Sequence, residues 1–147
     1  MSTRSLIGRQ FSNKTIRAIY CHSDGYLSHN GLLLLNSYTD PDKINQLINL
    51  GDISSLAEEI GRKHPFDAWK LKKEDINPDW ATWTRAYGRD RGEKDVMAKQ
   101  YMSLDSYLSA DRGQEFMYLF CDDVWYYTED ADTPMVPLTM EACAKED

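Results

Sequence analysis

The stretch Thr15-Ile16-Arg17-Ala18-Ile19-Tyr20-Cys21-His22-Ser23-Asp24-Gly25-Tyr26 decides the fold. Ile16, Ala18 and Tyr20 fall on one face of an extended chain, and Arg17, Ile19 and Cys21 on the other, so both faces carry apolar groups and the strand is covered on both sides. It then runs into a glycine turn that holds the densest polar chemistry in the chain, with Cys21 and His22 pointing to opposite sides. Residues 3–11 are equally rich in β-formers, and Ser12-Asn13-Lys14 between the two runs has hairpin length and turn chemistry.

Downstream, Leu32-Leu33-Leu34-Leu35 with Tyr38 predicts a short core helix. Asp40-Pro41 is a helix start, a capping carboxylate followed by proline, and Ile44, Leu47 and Ile48 form its apolar stripe before Gly51. Ser55 and Glu58 have capping-box spacing and predict another helical turn. Residues 62–80 read as an irregular connection punctuated by Pro65 and Pro78 and anchored by Trp69 and Trp80. A third strand is expected over 81–87, and a helix carrying Met97, Tyr101, Leu104 and Leu108. Residues 115–121 and 124–127 predict a second hairpin turning at Asp122-Asp123, its first arm a central strand because both faces are apolar. Leu138 to Ala144 forms a short helical patch. The expected architecture is one α+β domain over 1–147: an antiparallel sheet of about four to five strands packed with short helices, with an acidic tail from about residue 129.

A length of 147 residues suffices to bury a core without metal or disulfide staples. Three cysteines without regular spacing argue for a reducing compartment, and the longest apolar run is far too short to span a bilayer, so the expected location is the cytoplasm. The net charge of −7 is concentrated at the end: nine acids between Glu115 and Asp147 face only Lys145. Such a surface repels nucleic acid and anionic membrane and suits a basic protein partner, such as one that itself binds nucleic acid. Asp122, Asp123, Trp125, Glu129, Asp130 and Asp132 are its candidate contact residues.

Two clusters could hold a small ligand. His22, Asp24 and Tyr26 border the first turn, where a histidine near a carboxylate suits acid–base work; equally, His22 ends a strand and Asp24-Gly25 makes the turn. Arg89, Asp90, Arg91 and Glu93, between Gly88 and Gly92, offer two guanidiniums to a phosphate or carboxylate, or pair among themselves as a structural ion network. A shared wall between these clusters would make an anion- or nucleotide-binding site or a hydrolase site. A Cys21 nucleophile would need His29 or His64 as its base. No metal-ligand spacing is recognisable around His22, Asp24 or Asp122-Asp123, and neither a cofactor nor catalytic residues are assigned.

Taken together, Thr3-Arg4-Ser5, Tyr20-Cys21-His22-x-Asp24-Gly25-Tyr26, the leucine run ending in Tyr38-x-Asp40, Gly51-Asp52-Ile53-Ser54-Ser55-Leu56, Arg89-Asp90-Arg91-Gly92-Glu93 and Trp125-Tyr126-Tyr127 resemble a family of small uncharacterised proteins encoded by phages and bacteria, over about residues 3–127. Members often carry tryptophan between the His and the Asp-Gly-Tyr and proline after that Tyr, where Ser23 and Leu27 stand here. The resemblance implies no activity. Its phage setting implies host takeover or evasion of host defence, hence a non-enzymatic phage or prophage accessory protein that binds and modulates a host protein, for instance as an anti-defence inhibitor.

Overall fold

The computed structural model describes residues 3–129 and 132–145. The chain is α+β. The first hairpin is β1 (Ser5–Gln10) and β2 (Ile16–Cys21), paired from Ser5↔Cys21 to Gln10↔Ile16. A π-helical turn at Leu27–Gly31 leads into α1 (Leu32–Ser37), and α2 (Pro41–Asn49) follows, with the Asp40 carboxylate accepting from Asp42 N at 2.9 Å. Then come β3 (Ile53–Ser55), three 3-10 turns between residues 68 and 82, β4 (Arg85–Ala86) and α3 (Tyr87–Arg91). The remainder is β5 (Lys99–Tyr101), α4 (Leu104–Leu108), β6 (Phe116–Cys121), β7 (Val124–Thr128), β8 (Val136–Pro137) and α5 (Met140–Lys145).

The sheet is larger than expected and mixed. Among the described residues its eight strands run β4-β3-β2-β1-β6-β7-β8, with β5 paired to the first half of β2. The antiparallel expectation fails at two places: β1 lies parallel to β6, from Ser5↔Phe116 to Arg9↔Phe120, and β2 lies parallel to β3 at Cys21↔Ile53. Burial on both faces identifies a central strand but not its neighbour, and β1 becomes central by accepting β6 on the edge away from β2.

Alternation sorts the side chains into two cores. On one face Ile7, Ile19, Cys21, Ile53 and Tyr118 meet Leu34 of α1, Ile44, Leu47 and Ile48 of α2, and Cys143 of α5. On the other, Leu6, Ile16, Ala18, Met117 and Leu119 are covered by Tyr107 of α4, whose hydroxyl donates to Tyr118 O at 2.8 Å. At the second hairpin both Asp122 (φ 51) and Asp123 (φ 65) take left-handed conformations, the signature of a type I′ turn.

Three predicted elements are replaced. The capping-box turn at Ser55 is absent, because the segment pairs with β2 and β4, and Ala57 N donates to Thr84 Oγ1 at 3.1 Å. The strand over 81–87 shrinks to Arg85–Ala86, since Pro78–Thr82 winds as a 3-10 turn capped by Asn77. The helix through Met97 and Tyr101 survives only as α4, started by Ser103. Among the described residues no helix is long and apolar enough to cross a membrane.

Gly51 ends α2 at φ +81, and a Cβ there would lie 2.3 Å from Val96 O, which accepts from Asp52 N at 2.7 Å. Gly51→Ala combines a left-handed penalty of about 1–2 kcal/mol with that clash. The expected result is a lowered urea midpoint with an unchanged slope; an unshifted midpoint counts against the tight crossing.

Candidate functional site

The 62–83 segment carries three of the four tryptophans and stands off the sheet at its β4 edge, leaving an open groove of about 540 Å³. Its floor is the turn after β2 (Ser23, Asp24) and the end of β3 (Ser55 to Ala57); its walls are His64, Phe66, Trp69, Trp80 and Trp83, with Arg85 entering from β4. The segment has neither strand nor helical period, so nothing local buries its rings, and Trp69 stays 64% exposed.

Polar anchors hold it in place. Asp90 is buried and acts as a hub: Oδ1 accepts from Arg89 Nε at 2.9 Å and from His64 N at 3.2 Å, and Oδ2 accepts from Ala86 N at 2.8 Å and Arg89 Nη2 at 3.2 Å. Arg89 also donates to Ile60 O at 2.8 Å and Thr84 O at 2.7 Å. Arg85 donates to Phe66 O at 3.2 Å and Ser54 Oγ at 3.1 Å while lying over the rings of Phe66 (4.8 Å) and Trp69 (5.7 Å). Gly61 (φ +66) passes so close under Trp83 that a Cβ would fall 2.3 Å from the indole.

The ion-network alternative therefore describes Arg89 and Asp90, whose charges are spent on each other and on backbone groups. They sit in a helical turn, α3, rather than the glycine loop expected from sequence; Gly92 closes it at φ 75. Arg91 pairs with Glu93 at 2.6 Å on the surface and stacks on Phe66 (4.5 Å) and Tyr87 (4.9 Å). The turn after Cys21 and α3 leave β3 in opposite directions: β2 is parallel to β3 and its turn continues along it, with Ser23 N donating to Ser54 O, whereas β4 is antiparallel and α3 follows at the start of β3, with Tyr87 N donating to Asp52 O. Of the seven residues proposed for the composite pocket, only Asp24 lines the groove, and Arg85 occupies the place expected for Arg89 or Arg91. His22 Nδ1 meets Tyr20 Oη at 2.9 Å, and the Tyr26 ring packs against His29 at 6.1 Å.

The acidic contact surface is also revised. Trp125 is a core residue, 4% exposed, with Nε1 donating to Tyr38 O at 2.8 Å, so it offers no ring to a partner. Asp122, Asp123, Glu129 and Asp132 are exposed, and Asp130 lies outside the described residues. Among the described residues no three His, Cys, Asp or Glu side chains converge as metal ligands.

Cys21 is fully buried, donates to Ser23 O and accepts from Asn30 Nδ2, both at 3.4 Å; burial pushes its thiol up to about 11. It is no thiolate nucleophile near neutrality. Because the thiol of the unfolded chain titrates near 9.0, stability held below that pH is lost as the pH rises toward 11, by about 2–3 kcal/mol. Tyr38, pushed up to about 12 by burial, extends the decline to higher pH. Urea midpoints should fall from pH 9 upward, with a shallower slope in Cys21→Ala; equal slopes would contradict the assignment.

Sequence reasoning missed Phe66, Trp83 and Arg85, and named His64 only as a possible base for Cys21. The available signal was three tryptophans within fifteen residues of a charged, proline-punctuated stretch that has no apolar periodicity to bury them. No family model, curated protein or solved structure matches this chain, so the functional reading rests on the geometry of this groove.

Proposed function

We propose that this is a binding protein whose ligand site is the tryptophan groove. One observation carries the reading: Trp69, Trp80, Trp83, Phe66 and His64 line an open space of about 540 Å³, within the range of small-molecule sites. The wall is fixed before any ligand arrives, because the Asp90 hub and the Arg85 clamp tether it to the sheet. A wall ordered in advance lowers the entropy cost of binding.

Trp69 is exposed and outside both cores, so Trp69→Ala should leave the far-ultraviolet circular dichroism unchanged. Any compound that quenches tryptophan emission and raises the melting temperature of the native chain should bind this variant about tenfold more weakly. Ligands indifferent to both Trp69→Ala and Trp80→Ala would move the site elsewhere.

A second reading keeps the host-protein partner suggested by the phage resemblance. Its support is the exposed carboxylates of Asp122 and Asp123 at the β6–β7 turn and of Glu129 and Asp132 beyond the other end of β7, without Trp125. Capture through these carboxylates should weaken in strong salt.

A further inference from the structure

Resting on the groove being the binding site, we infer that its ligand is a nucleobase, as a free nucleoside or mononucleotide, stacked on tryptophan and donating an N–H to His64 Nε2. The first support is the state of His64. Its side chain is 4% exposed, packed in a stacked arrangement with Trp80 (6.4 Å, 28°) and edge-on to Trp83 (5.4 Å, 73°). Nδ1 lies 2.7 Å from Arg62 O and 3.5 Å from Asp90 Oδ1; a carbonyl only accepts, so the proton is on Nδ1. In the neutral ring this leaves Nε2 as a bare acceptor. It has no partner among the described residues, although the ring lines the groove. Nε2 is not one of the buried side-chain atoms left without a partner, so it is open to the groove, where a ligand N–H can take the place of water.

The second support is charge. Arg62 lies 5.6 Å over the Trp83 ring, and Arg85 lies over both Phe66 and Trp69. Three of the wall's rings thus already carry a guanidinium, and Phe66 carries a second from Arg91. A cationic ligand, the usual guest of an aromatic cage, would meet three positive charges, whereas a neutral planar ring stacks without that penalty. Asp24 is the one carboxylate on the lining among the described residues, and it supplies a second acceptor for an exocyclic amine. The chain's net charge of −7 opposes a long polyanion, which restricts the ligand to the scale of one nucleotide.

The test titrates the nitrogen-15-labelled full chain with adenosine, guanosine, cytidine and uridine and with their 5′-monophosphates. The readouts are tryptophan emission and the His64 Nε2 resonance. At least one base should quench emission and move Nε2 away from its unbonded position, and blocking the donating N–H by methylation should weaken binding about tenfold. Nucleoside and monophosphate arms show whether phosphate adds affinity. His64→Phe, if folded, should bind the parent and methylated bases alike; the Nε2 readout on the native chain stands even if that variant fails to fold. Nucleoside binding with an unmoved Nε2, or a stronger response to tetramethylammonium or a proline-rich peptide, overturns the nucleobase assignment while leaving the groove in place. If no compound of any class perturbs Trp69 or Trp80, the groove reading falls as well.

Discussion

Asp90→Ala is expected to destabilise the chain by about 3–5 kcal/mol, because it strips the counter-charge from a largely buried guanidinium and orphans two backbone N–H groups at once. Asp90 has no exposed side-chain surface and Arg89 only 17%, so water cannot replace the lost partner. For a chain of this size that loss lowers the melting temperature by roughly 10 °C. Asp90→Asn should fall nearly as far, since it keeps the shape but not the charge. The damage should also be local. His64 N and Ile60 O are where the hub grips the 62–83 segment, so trypsin should cut at Arg62, Lys63 and Lys70 well before the sheet opens. Calorimetry of both variants measures the first effect and timed proteolysis the second. A loss under about 1 kcal/mol would mean that the pair does not organise the groove wall.

Trp125→Ala should cost about as much, 3–5 kcal/mol, for a different reason: it empties a large volume in the core and leaves Tyr38 O without its donor. The indole sits 5.3 Å from the Phe120 ring on the core face of β7, the strand that the exposed acids flank. If Trp125 were a surface anchor for a partner, alanine would weaken capture and leave the melting temperature where it was. The urea midpoint of the variant separates the two. A conservative Trp125→Phe should recover part of the stability but not the bond to Tyr38 O.

These two residues show what the sequence conveyed and what it withheld. Alternation along residues 16–21 and 116–121 correctly gave two strands covered on both faces, and Asp40-Pro41 gave the start of α2. Periodicity misled at Met97, Tyr101, Leu104 and Leu108. Their spacing is helical, yet the open edge of β2 takes Lys99–Tyr101 as a strand, and Met97 is left 79% exposed. Tertiary hydrogen bonding outweighed local preference there, as it did at Ser55. The parallel pairing of β1 with β6 was illegible because its partners lie more than a hundred residues apart. The Arg89-Asp90 cluster was visible as charge, but charge alone does not say whether the acceptors are a ligand's or the protein's own backbone. Trp125 lies between exposed Val124 and half-buried Tyr126 in a strand whose composition suits surface and core equally, and its contacts with Phe120 and the Tyr38 carbonyl decide its side.

The parallel seam between β1 and β6 also governs how the molecule comes into being. Ser5 finds Phe116 only after all the residues between them have been made, so during translation the first hairpin emerges with one hydrogen-bonding edge bare and both faces unroofed. A nascent chain halted before residue 116 holds every groove residue but lacks the strand that covers the open edge of β1, and it should collect in aggregates or with chaperones until β6 is made.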